Sequence, residues 1–229
     1  MKRIVQAAGC IFISLALLLG LLCGVVLAVA GNANYMSALF LRHANPAITG
    51  VDVQEYPGLA EKITAYLTDG ADTFQTTLFV HGQRREAFSE KELLHMRDVR
   101  NLFFLCRSIF LISTALTVLL LALTSFRFRN LLALLARSYI RVSLFIAAMG
   151  TVMAVWAVID FHSLFTLFHH VFFTNDLWLL NPRQDLLLQL MPTAFFADYA
   201  ARIGLCWLLS AALLNLAAIL YLKRRKRQA

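Results

Sequence analysis

The sequence predicts an all-α integral membrane protein: four transmembrane helices, with two extracytoplasmic segments forming a small, partly helical outer head that holds some β structure. Three observations predict it. First, hydrophobic residues make up 60% of the 229 positions and the mean hydropathy is +0.69, the balance of a chain that hides apolar surface in lipid. Second, four apolar runs, 4–30, 102–125, 142–159 and 203–222, approach or exceed the roughly 20 residues a helix needs to cross a bilayer. Backbone in hydrocarbon must satisfy its own hydrogen bonds, so each run should be a helix. Third, charge is segregated. Lys2, Arg3, Arg127, Arg129, Arg137, Arg141 and the cluster Lys223, Arg224, Arg225, Lys226, Arg227 fall on one side of this topology, with no acidic residue among them. All 13 Asp and Glu fall in 31–100 or 160–198, on the other side. The positive-inside rule then places both termini and the 126–141 loop in the cytoplasm of a multi-pass cell-membrane protein. The net charge of +8 calls for no nucleic acid, because the basic residues hug the membrane ends.

The chain forms a single membrane domain, residues 1–229. Its first run is long. Ala28-Val29-Ala30 has the small-residue form of a signal-peptidase site. The run nevertheless exceeds the roughly 7–15-residue core of a signal peptide, so an uncleaved anchor is expected. In the first outer segment, 31–101, Pro57 opens a short amphipathic helix on which Leu59, Ile63 and Leu67 recur every four residues, and Gly70 stops it. Residues 73–80, TFQTTLFV, have strand composition. Ser89 and Glu92 form a capping box, from which a helix should run directly into the second span. Residues 126–141 are amphipathic, with Asn130, Arg137 and Arg141 on one side and leucines on the other, and are expected to lie flat on the inner leaflet among membrane lipids. In the second outer segment, 160–202, Asn181-Pro182 reads as a cap and first turn, Asp185 falls in that helix's opening turn, and Pro192 closes it. Cys10, Cys23, Cys106 and Cys206 all lie within or beside spans and read as small apolar residues.

The outer segments hold the candidate chemistry. Three of the six histidines, His162, His169 and His170, fall within nine residues of each other. As a helix, Phe161, Phe165, Phe168 and Phe172 form one stripe, with His162 and His169 along its edge and His170 turned about 100° away. An apolar face bordered by imidazoles suits a site that holds a greasy substrate and moves a proton; it equally suits a helix lying in a membrane interface. His95 sits about two helical turns before the second span, with Asp98 three residues on along the same face. Arg84, Arg85, Arg97 and Arg100 are the outer basic residues near His95, suited to contact a phosphate or acyl carbonyl. His95, Asp98, His169 and His170 could ligate zinc, but HExxH, His-x-His and CxxC spacings are absent, so no metal and no cofactor is assigned. No serine stands in a GxSxG turn.

Two stretches carry a resemblance. Residues 88–99, FSEKELLHMRDV, and residues 168–178, FHHVFFTNDLW, the latter followed by Asn181-Pro182, Asp185, Pro192 and Phe195-Phe196, resemble the two signatures of the bacterial lipoprotein intramolecular transacylase (Lit) family. The four-span plan is similar too, and the resemblance covers essentially the whole chain. It implies an acyltransferase that moves an acyl chain from the diacylglyceryl group of a lipoprotein to the α-amine of the same N-terminal cysteine, giving the lyso form. It implies His95 and His169 as the catalytic residues. His170 adjoins the second without an implied role, and Thr193 stands where an acidic residue is expected, so position 193 is given none. Arg85, Asn175 and Trp178 are candidate oxyanion donors, with Asp98 and His170 as further candidates for substrate contact. The implied partner is a diacylglyceryl-modified lipoprotein; no cofactor is expected, because an ester already carries the needed energy, and a monomer is expected. A non-enzymatic membrane subunit that binds a partner through its outer segments, and a metal-dependent lipid hydrolase, are the alternatives.

Overall fold

The structure is a computed structural model describing residues 2–127 and 129–228, with the backbone alone at 2, 3, 5, 121, 123–127, 129 and 130. In chain order the elements are α1 (Lys2–Ala30), α2 (Ala33–His43), α3 (Pro46–Thr49), a 3-10 turn (Val53–Glu55), α4 (Tyr56–Thr68), β1 (Thr77–Val80), β2 (Gln83–Glu86), α5 (Glu90–Arg127), α6 (Arg129–Ile159), α7 (Phe161–Phe172), α8 (Leu186–Leu190) and α9 (Thr193–Gln228). Among the described residues four helical stretches are long and apolar enough to cross a membrane: Gln6–Ala30, Glu90–Leu120, Leu131–Ile159 and Thr193–Gln228. The chain divides into two compact units, one of residues 1–26, 106–155 and 203–229, the other of residues 27–105 and 156–202.

The first unit is built from long helices. Leu18, Tyr139, Trp207 and Ala211 form its buried centre, with Leu17, Leu21, Val25, Val142 and Ile146 packed around it. Where apolar side chains gain little by leaving lipid, close approach and hydrogen bonds hold helices together. Both occur here. Trp207 Nε1 donates to the Leu18 carbonyl at 3.1 Å, Tyr139 OH to the Ala211 carbonyl at 3.3 Å, and Ser143 Oγ to Asn215 Oδ1 at 2.9 Å. A Cβ added at Gly20 would stand 2.5 Å from Ser113 Cβ, and one at Gly24 would stand 2.8 Å from the Phe110 ring. These two glycines, four apart, are what let α1 approach α5.

The flat inner helix expected over 126–141 is not a separate element. Helix α6 runs unbroken from Arg129 to Ile159, because Ala133, Ala136, Ser138, Tyr139 and Ser143 are buried within the unit while Arg137 and Arg141 stay exposed. Its amphipathic pattern reflects helix packing. Phe128, and the side chains of 126–130, lie outside the described residues.

The second unit is a small α/β head around an aromatic core. Helix α4 buries Tyr56, Leu59, Ala60, Ile63, Tyr66 and Leu67, the face that the four-residue repeat marks. Full burial of a leucine or isoleucine contributes about 1.5–3 kcal/mol. Helix α2, capped by the Asn32 side chain accepting from Tyr35 N–H, packs against α4. Its Phe40 meets Tyr56 edge-on at 5.7 Å and stacks on Phe195 at 5.6 Å. The strand expected over 73–80 is shorter and paired: β1 and β2 form an antiparallel hairpin with Val80 opposite Gln83. Its two-residue turn, His81-Gly82, has φ of 50° and 75°, the doubly positive pattern of the turn that matches strand twist. Gly50, at φ 65°, lies against the His81 ring, where a Cβ would stand 2.6 Å from ring atoms. The Gln75 side chain closes the base of the hairpin, donating to Phe88 O at 2.7 Å and accepting from Phe88 N at 3.1 Å. The capping box is present, with Ser89 N–H donating to Glu92 Oε2 at 2.7 Å, and α5 continues without a break, as expected. The helix expected from Asn181 begins five residues later, at Leu186. Asn181 instead organises a turn, its Oδ1 accepting from Arg183 N–H at 3.0 Å.

Candidate active site

Helix α7 spans the phenylalanine stripe, with Asp160 as N-cap accepting from Ser163 N–H at 3.0 Å. On it the histidines separate by environment. His162 and His170 are exposed, whereas His169 is 6% exposed. The His169 ring sits in an aromatic box. Phe165 lies edge-on at 4.3 Å, Phe168 edge-on at 5.5 Å, Phe173 at 5.4 Å and Trp178 stacked at 4.8 Å. His169 Nδ1 is 2.7 Å from the Phe165 carbonyl. A carbonyl only accepts, so Nδ1 carries the hydrogen and the neutral ring holds its lone pair on Nε2. Burial among these rings holds the His169 pKa below the ordinary histidine value, with the Phe165 hydrogen bond opposing the shift.

His95 comes to this box from α5. It lies on the second turn of α5, 7% exposed. Its ring centroid is 6.0 Å from that of His169 and 5.3 Å from Phe173, which touches both. His95 Nδ1 is buried without a hydrogen-bond partner among the described residues. Two imidazoles 74 residues apart in sequence thus share one wall.

The other sequence candidates divide. Asp98, half-buried, accepts from Asn175 Nδ2 at 2.9 Å, so this pair ties α5 to the segment after α7. Trp178 stacks on His169 and meets His170 edge-on at 5.1 Å. Arg85 is elsewhere: it is exposed on β2 opposite Leu78, and no described contact joins it to either histidine. Arg84 and Arg100 lie over aromatic rings, Arg84 on Phe79 and Arg100 on Tyr66 and Phe104. Arg97 lines a separate recess with Tyr66, Asp72, Thr73, Phe74, Leu93 and Leu94. Phe173 joins both histidines, a role that sequence reading missed. It lies just past the end of α7, off the helical stripe, so periodicity carries no signal for it.

A family model described as lipoprotein intramolecular transacylase Lit matches residues 11–196. The chain belongs to this family. It is accordingly an acyltransferase, a multi-pass membrane protein whose reaction is intramolecular acyl transfer within lipoproteins. Solved structures of the membrane-integral Lit from Bacillus cereus have the same fold. One aligns with a TM-score of 0.77 at 18% identity, covering 98% of this chain and 99% of that one. Two others, in which a histidine is replaced by arginine or by alanine, align with a TM-score of 0.72 at 19% identity; the shares are 99% of this chain and 96% of that one, and 100% and 98%. A comparison with curated protein sequences finds no match. The all-α membrane fold and the enzyme class that the resemblance implies are those of the family.

Proposed function

We propose that His95 and His169 are the catalytic pair, acting at the outer leaflet on a diacylglyceryl-modified lipoprotein. The observation that carries this reading is their convergence: two histidines from separate segments stand with ring centroids 6.0 Å apart, both buried in a head whose neighbouring surface is apolar. Phe168 and Phe172 on the same helix are 43% and 49% exposed, and Leu167 and Val171 are exposed beside them. An acyl chain lies on that surface while its ester reaches the imidazoles.

The reaction joins the cysteine α-amine to an acyl carbonyl. The C–N bond forms, the ester C–O bond breaks, and the proton lost by the amine ends on the departing glyceryl oxygen. An α-amine has a pKa of about 8 and must be neutral to attack. His169 Nε2 takes its proton as the bond forms and returns it to the leaving oxygen. His95 is the second group within reach of the tetrahedral intermediate, there to hydrogen-bond its oxyanion together with the Trp178 indole N–H. Both reacting groups belong to one molecule, so binding that molecule supplies proximity directly.

The test is expression in cells lacking N-acylation activity, with mass measurement of a model lipoprotein's N-terminal peptide. His95→Ala and His169→Ala should each reduce transfer by about 10²–10⁴-fold, and a chelator should leave it unchanged. Full transfer by both variants sinks the histidine reading. Loss of activity on chelation favours the metal-dependent hydrolase.

A further inference from the structure

Glu92 is 2% exposed, an unusual state for a glutamate unless it is fully bonded. Its Oε2 serves the capping box. Its Oε1 accepts from Leu187 N–H at 2.6 Å, across 95 residues of sequence. Leu187 belongs to the first turn of α8, whose own N-cap residue, Asp185, makes no side-chain cap bond; the Asp185 carboxylate accepts instead from Asn181 N–H at 2.6 Å. The orphan donor of α8 is therefore satisfied from α5. A capping box uses one carboxylate oxygen, so the N-terminus of α5 by itself requires neither the second bond nor the burial.

That second bond has a consequence for the site. Residues 173–185 join α7 to α8 and carry Phe173 and Trp178, the rings that seat the histidines. The first turns of α5 hold this segment at two points and the start of α8 at a third. Asp98 binds Asn175, Lys91 Nζ donates to the Leu179 carbonyl at 2.6 Å, and Glu92 binds Leu187. The first two ties are exposed and exchange with water. The third is buried, where a lost acceptor leaves an unsatisfied N–H.

We propose that Glu92 is a positioning residue for acyl transfer, locking α8 to α5 so that Phe173 and Trp178 hold His95 and His169 in register. The proposal rests on the reading of that histidine pair. Its test uses the purified full chain in detergent with a diacylglyceryl lipopeptide, comparing Glu92→Gln, Glu92→Ala, Ser89→Ala and His169→Ala with the parent. Glutamine keeps the volume but sets an NH2 donor against one of the two N–H donors. Glu92→Gln should lower kcat about tenfold to a hundredfold, with KM within about twofold, while its melting curve shows a folded protein. The acid limb of its rate profile should move up toward about pH 6.5, as His169 gains water. Glu92→Ala should lose more. Ser89→Ala, which leaves both carboxylate bonds in place, should match the parent.

A folded Glu92→Gln with the parent's kcat and pH profile overturns the proposal. So does a rate loss that only follows the fraction folded, with the acid limb unmoved. If neither Glu92 variant folds, the residue is a folding determinant and the positioning role is rejected. Full transfer by His169→Ala sinks the reading of the pair itself, whatever Glu92 does.

Discussion

At the scale of single residues, the two histidines on one helix face are distinguished by burial. His162 and His169 are seven apart and helical phase alone places them side by side, yet His162 is exposed and His169 is boxed by four aromatic rings. The box has a measurable effect. Burial disfavours the imidazolium, so the His169 pKa is lowered, and the base form survives below the usual histidine value of about 6.5. The acid limb of kcat/KM assigned to His169 should therefore fall below about pH 6.5, beneath the separate limb near pH 8 set by the substrate amine. An enzyme limb at or above 6.5 would contradict it. The same shift sets a stability trend: the contribution of neutral His169 is present above about pH 6.5 and is lost as the pH falls through the lowered folded value. Arg85 shows the opposite limit of sequence reading. Nearness to His95 in sequence suggested an oxyanion donor, but Arg85 lies on β2 itself and is exposed on the hairpin.

At the scale of elements, the contact between α1 and α5 depends on missing side chains. Gly20 lies where a Cβ would come 2.5 Å from Ser113 Cβ, and Ser113 Cβ cannot swing away without its backbone. Gly20→Ala should destabilise the protein by about 1–3 kcal/mol, against the gain of up to about 1 kcal/mol that alanine brings to a helix. Gly150 on α6 has nothing within 4 Å of the same point. Gly150→Ala should thus be neutral or stabilising, and thermal unfolding in detergent checks both. Equal responses would show that the close approach does not matter. The helix start at Leu186 belongs to this scale too. Asn181-Pro182 has the composition of a cap, but Asn181 bonds within its own turn and the Leu187 N–H of α8 donates to Glu92, a partner no local pattern indicates.

At the scale of the whole molecule, the proposed orientation follows from charge: an even number of spans would leave both termini on one side, and the positive-inside rule assigns the basic side to the cytoplasm. On that orientation a phosphatase fused after Arg227 should be inactive, while one inserted at the His81-Gly82 turn of the second unit should be active. The reverse pattern would overturn both the orientation and the outer-leaflet placement of the histidines.

The sequence by itself determined the membrane class, the four apolar runs, the helix entering the second span at Ser89, and the two stretches that carry His95 and His169. Each is written in local pattern: hydropathy over about 20 residues, a capping box, helical phase. Tertiary structure alone decided that the two histidines meet, that Phe173 stands between them, that residues 131–143 pack within the helical unit and do not form a separate flat helix, and that one buried glutamate caps two helices. These depend on contacts between segments tens of residues apart, and such contacts leave no periodic trace in either segment.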